Sequence, residues 1–256
     1  MTEPRQNQPR QNRWIQAPRH GEGASVVEYP PNARLEVVYL TDPGIVAEVL
    51  PPPLMPAPEP RARVHFTRIE VDGHLHEIVG SFLLDAMYGD QLGQFCAVMP
   101  IDLETAVTPS RETYGEPKKL AQMEFEREGN HIKASMARQG VTFIEVVGDV
   151  TDELAVPAPY EVVQFWYKFL PAVSGEGFDA GPFLITLHQT VKARTCEKIE
   201  GKLVLRDLPG TPVADVPILE LESIRTMMIQ TDYYHVLEDV EIDPVEYAKH
   251  VSVQYQ

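Results

Sequence analysis

Apolar and polar residues alternate along most of this chain with the period of two that marks half-buried β-strands. Arg34 to Tyr39 is the first such run, followed by Val64 to Val71, Leu75 to Met87, Phe95 to Ile101, Lys119 to Glu126, His131 to Ala137 and Thr142 to Val147. Asp72-Gly73, Tyr88-Gly89-Asp90 and Glu128-Gly129-Asn130 separate them as turns. After a proline-rich break at Val156 to Pro159, strands are predicted over Glu161 to Leu170, Phe183 to Ala193 and Lys202 to Leu208. Val236 to Tyr255 reads as a terminal strand with an irregular tail. One helix start stands out: Thr41-Asp42-Pro43 offers a capping side chain and a proline for the first turn, and Pro51 to Pro53 stop the helix. Six of the ten residues from Pro51 to Pro60 are proline, which makes an extended connector. Many short strands and few helices predict a β-rich α+β fold, an antiparallel sheet curled into a cone or barrel. No repeat of fixed period appears.

Residues 1–24 break the pattern. Gln, Asn, Pro, Arg and Gly dominate there, with Trp14 and Ile15 as the large apolar side chains. Such a segment buries too little surface to offset its ordering entropy, so a flexible tail is expected before a single domain over 25–256.

Charge narrows the partners. The 256 residues carry 22 Lys+Arg against 38 Asp+Glu, a formal charge of −16. A phosphate backbone needs a basic face, so no nucleic-acid partner is expected. The same field would not gather an anionic substrate, and a local cation has to do so. Cys96 and Cys196 lack any paired spacing and read as buried thiols of a reducing compartment. No apolar run is long enough for a membrane span, and no apolar leader is apparent, so a cytoplasmic location is expected.

The candidate chemistry lies in Arg111-Glu112-Thr113-Tyr114-Gly115-Glu116-Pro117-Lys118-Lys119-Leu120. Lysine pairs are ordinarily solvated surface. Burial, or a second cation nearby, disfavours the ammonium and leaves a nucleophilic amine. Pro117 sets its own φ and biases Glu116 away from the α region, giving the lysines a defined direction.

This segment resembles the signature of the acetoacetate decarboxylase family, whose Pro-Lys-Lys-Leu carries a Schiff-base lysine. Acetoacetate decarboxylase is itself the standard example of a lysine activated by a neighbouring cation. The resemblance continues in Tyr39-Leu40-Thr41-Asp42, in Val49 to Leu54, in Leu75-His76-Glu77-Ile78-Val79, in Trp166 to Pro171 and in Ala214 to Glu220. It covers roughly residues 28 to 240.

The resemblance implies a fold like that family's, a homo-oligomer, a small keto-acid substrate, and neither cofactor nor metal. Lys118 matches the nucleophile. Lys119 matches the adjacent lysine, although neighbours on a strand face opposite ways. Glu77 matches the catalytic glutamate, with Leu75 in place of the usual aromatic. Two departures matter. Glu116 replaces an aromatic residue and would oppose amine activation unless it points outward. The substrate-holding arginine aligns with Asn32, with Arg34 the nearest cation.

Decarboxylation is therefore the leading expectation. Aldol or dehydration chemistry on pyruvate-like acids is the first alternative, and a non-catalytic ligand-binding barrel the second. Arg111 and Glu112 are expected to hold the loop that presents Lys118. Lys168 points either inward or out along the surface. Tyr233, Tyr234, Tyr247 and Tyr255 could each supply a hydroxyl.

Overall fold

The computed structural model describes residues 31–232 and 235–252. The predicted tail, Tyr233, Tyr234 and Tyr255 lie outside the described residues. Strand β1 (Asn32–Leu40) leads to helix α1 (Pro43–Val49), where Asp42 caps the amides of Gly44 and Ile45. A two-residue β2 (Met55–Pro56) follows, then a meander of β3 (Arg61–Val71), β4 (His74–Tyr88) and β5 (Gln91–Ile101). Next come α2 (Glu104–Tyr114), β6 (Lys118–Leu120), and a second meander of β7 (Gln122–Glu128), β8 (His131–Arg138) and β9 (Val141–Glu153). The chain continues as β10 (Tyr160–Pro171), the 28-residue β11 (Phe178–Leu205), β12 (Glu220–Thr231), β13 (His235–Glu241) and α3 (Pro244–Tyr247).

The sheet runs β10-β5-β4-β3-β1-β12-β11, and pairing of β10 with β11 closes these strands into a ring. Pairing is antiparallel except where β5 meets β10 and β6. The expected curled β-rich fold is present. Among the described residues no helix is long and apolar enough to cross a membrane.

Alternation gives the ring two different faces. Leu35, Val37 and Tyr39 of β1, Val64 and Phe66 of β3, and Phe82 and Leu84 of β4 join the main apolar core. That core also takes in Val46 from α1 and Leu50 just after it, Phe125 from β7, Ile132 from β8 and Tyr247 from α3, all from segments off the ring. It is therefore the outer face of the ring. The other face lines the lumen with Leu83, Cys96, Met99, Trp166, Ile185 and Leu187, and beyond them Val191, Cys196, Met227 and Ile229.

Several segmental expectations need correction. Helix α2 went unforeseen because it buries no residue and carries Pro109 in its middle, so it lacks an apolar stripe. The single strand expected over Lys119 to Glu126 is two strands, broken at Ala121, that pair with β5 and β8 respectively. Phe183 to Ala193 and the first part of Lys202 to Leu208 belong to the one long β11, which changes partners along its length and stops at Leu205. Strand β12, which closes the ring, was not anticipated. The terminal strand stops at Glu241, where Asp243 caps α3.

Candidate active site

Lys118 opens β6, beside Met99 of β5. Helix α2 ends at Gly115 in the left-handed conformation (φ 76°), with its amide bonded to Arg111 O. A Cβ at Gly115 would run into the backbone of Tyr167 and Lys168, so glycine serves both the turn and the close approach of β10. Beyond it, Lys118 N donates to Glu116 O at 2.7 Å, a three-residue turn centred on Pro117. Arg111 Nη1 donates to Lys118 O at 3.1 Å and ties the segment back to the helix.

This turn decides where Glu116 goes. The outward orientation that would have relieved its conflict with the amine is not adopted. Glu116 is buried, and its Oε2 lies 2.9 Å from Lys118 Nζ as an ion pair lacking hydrogen-bond alignment. Nζ also donates to Ser110 Oγ at 2.9 Å. Glu77 of β4 lies within the field of Lys118. Burial raises its carboxyl above the ordinary range, opposed by the Lys118 and His76 charges and assisted by Asp102 and Glu116. Its Oε2 is buried without a hydrogen-bond partner among the described residues. Cys96 faces the same lumen, where burial pushes its thiol up and Glu116 adds to the effect.

Lys119 takes the opposite face, as strand geometry requires. It is 4% exposed, and its Nζ donates to Gly210 O at 3.0 Å. Burial, then Arg138 and Arg111, bring its amine down to about 7. The two candidate substrate-binding residues lie on β1. Asn32 Oδ1 accepts from Glu70 N at 3.4 Å, and Arg34 Nε donates to Thr67 Oγ1 at 3.3 Å. Tyr247 stacks on Tyr167 in the outer core, with ring centroids 4.8 Å apart, away from the lumen.

Sequence reading missed an ion cluster in the lumen. Arg63 grips Asp85 through two bonds of 2.7 and 2.8 Å, while Glu36 accepts from Arg225 at 2.7 Å and lies 3.1 Å from His65 Nε2. Burial opposes ionisation of Glu36, but His65, Arg225 and Arg63 together hold its carboxyl far below the usual range. Burial keeps His65 down despite Glu36. Tyr160 of β10 feels Glu36, Arg34, Arg225 and Arg63, so the groups converge on the lumen. The available signal was a charged residue inside each apolar run: Glu36 between Leu35 and Val37, Asp85 between Leu84 and Ala86. Ser110 gave no signal, because its helix was not foreseen.

A profile described as acetoacetate decarboxylase (ADC) matches residues 15–242. The chain belongs to the acetoacetate decarboxylase family. Within it, a Burkholderia cenocepacia protein named acetoacetate decarboxylase is 25% identical over 205 residues, covering 76% of this chain and 80% of that one. The crystal structure of acetoacetate decarboxylase from Legionella pneumophila is 20% identical, superposes with a TM-score of 0.73, and covers 88% of this chain and 93% of that one. The enduracididine biosynthesis enzyme MppR complexed with pyruvate is 16% identical with a TM-score of 0.66, covering 84% and 93%. At those identities the structural likenesses establish the acetoacetate decarboxylase-like fold.

Proposed function

We propose that this protein is a lyase that forms an imine between Lys118 and the ketone of a small β-keto acid such as acetoacetate, and releases CO2. The observation that carries this reading is the setting of Lys118 Nζ, held between Glu116 and Ser110 with Glu77 in reach of its charge.

On arrival of the ketone, Glu116 takes a proton from the ammonium, and the free amine adds to the carbonyl carbon. Glu116 returns the proton as water leaves the carbinolamine, giving the iminium. The bond to the carboxylate then breaks, its electron pair moves towards the imine nitrogen, and CO2 departs from an enamine. Glu77, favoured in its protonated form by burial, delivers a proton to carbon. Hydrolysis frees the ketone and Lys118. The imine nitrogen is the electron sink, so the mechanism needs neither pyridoxal phosphate nor metal. A homo-oligomer belongs to the same proposal, and a solution mass measurement tests it.

A second reading, aldol or dehydration chemistry on pyruvate-like acids, is favoured by Asn32 at the family's arginine position, where its side chain accepts from Glu70 N. The pyruvate in the MppR complex agrees with that reading. Borohydride trapping with acetoacetate and with pyruvate, mapped to the Lys118 peptide and combined with CO2 release, tests both. An acetoacetate adduct with CO2 supports the lyase. A pyruvate adduct without CO2 supports the second reading. Tight ligand binding with no adduct makes the chain a non-catalytic binding barrel.

A further inference from the structure

A cavity of about 490 Å³ lies beside Glu116, between α2 and the ends of β10 and β11. Lys168 and Phe183, which are register partners, line it along with Arg111, Phe169 and Leu170. Phe183 also packs against the lumen cluster of Leu83, Cys96, Met99 and Trp166. The cavity is a mouth that meets the Lys118 amine through Glu116, which lines it and touches Nζ, while Tyr167 and Phe169 of the outer core form part of its wall.

Three features define its ligand. First, the volume falls within the range of sites that enclose molecules much larger than a four-carbon acid, roughly 300–1,000 Å³. Second, the aromatic and aliphatic walls favour an apolar body. Third, Lys168 is half-buried in the wall and has no ion-pair or hydrogen-bond partner among the described residues. Arg111, by contrast, is committed to Lys118 O. Glu112 and Glu116 also line the cavity, and Glu116 is already neutralised by Lys118. A cation held against an apolar wall suits a carboxylate brought in on an apolar chain.

We infer that Lys168 is the substrate-carboxylate group of this mouth, and that the preferred substrate is a keto acid with an apolar body longer than acetoacetate or pyruvate. The inference rests on the imine reading for the place of the ketone, at Lys118. It moves anion recognition away from β1, where Asn32 has replaced the cation, to β10 on the far side of the amine.

The test compares freshly prepared 3-oxooctanoate with 2-heptanone, its neutral decarboxylation product, and with acetoacetate, by the concentration that half-saturates borohydride trapping at low ionic strength. The wild-type protein is expected to favour 3-oxooctanoate over both by about tenfold or more, as a hydrogen-bonded charge pair commonly supplies. Lys168→Met should bring the acid down to the level of the ketone and leave 2-heptanone trapping unchanged. Lys168→Arg should restore most of the preference. An acid-over-ketone preference that survives in Lys168→Met overturns the inference, as does a wild type that traps acetoacetate as well as the longer acid. If no ligand gives an adduct, the imine reading fails by itself. Calorimetric binding of 3-oxooctanoate to wild type and Lys168→Met then decides, with equal or absent binding sinking the role of Lys168.

Discussion

Lys118 and Lys119 are adjacent in the chain yet belong to two different solvents. Lys118 enters the lumen, where its neighbours are a carboxylate, a hydroxyl and a second carboxyl group. Lys119 enters the outer side, where its amine donates to the Gly210 carbonyl in the field of the Arg138 and Arg111 guanidinium groups, and burial brings it down to about 7. Its lowered amine, taken alone, would mark Lys119 as a nucleophile. By chemistry within reach Lys118 is the better candidate, since Glu116 and Ser110 lie at its nitrogen and Glu77 lies within its field. A low pKa is a property of burial, and catalysis also requires a partner and access.

The most severe way to break this contrast is to remove one amine. Lys118→Ala is expected to abolish borohydride trapping and cut turnover by about a thousandfold or more, since the covalent route disappears. Peptide mapping of the wild-type adduct sharpens the same point: the reduced mass should sit on Lys118 and not on Lys119.

Next in size is the lumen's ion cluster. Glu36→Gln leaves Arg225 without its carboxylate and His65 without its partner, and should cost about 3–5 kcal/mol in urea unfolding. In the wild type, the depressed Glu36 carboxyl contributes stability that is complete above its unfolded pKa, near 4.3, and is lost as pH falls through the lower folded value. His65 acts in the same direction from a higher pH. Being held neutral when folded, it withdraws stability as pH drops below about 6.5. An acid-unfolding curve for Glu36→Gln that overlays the wild type would show that the cluster does not support the ring.

Glu116→Gln separates a proton carrier from an obstruction. Loss of the carboxylate is expected to slow trapping by about a hundredfold at neutral pH. Faster trapping would mean that Glu116 merely restrains the amine.

The smallest effect belongs to Lys119. Its folded amine sits at about 7, below the ordinary value, so the unfolded state binds more protons between there and about 10. Stability should therefore rise with pH from 7 to 9, with this lysine supplying up to about 1.4 kcal/mol per unit, and Lys119→Met should flatten that slope. An unchanged slope would show that the buried amine is not neutral.

Much of this architecture was legible in advance, for identifiable reasons. Arg34 to Tyr39 and the first meander announced themselves because a ring wall with one wet or ionic face and one apolar face enforces alternation. Asp42 and Pro43 announced α1 because a cap is a local interaction. Helix α2 was hidden because it lies on the surface with no apolar stripe, and Ser110 was hidden with it. The direction of Glu116 could not be read from alternation, because a three-residue turn at Pro117 breaks the strand's period just before β6.

The sequence by itself determined what local chemistry and periodicity carry: the strands' two faces, the caps and turns, and the Pro-Lys-Lys signature that marks the family. Tertiary structure decided the rest. Ring closure by β12 and by the β10–β11 pairing places Glu36, His65, Arg63, Asp85 and Arg225 together, from positions far apart in the chain. The same closure brings Lys168 beside the Glu116 that touches Lys118. Pairing between distant strands depends on which edges meet in space, and no window of sequence contains that information.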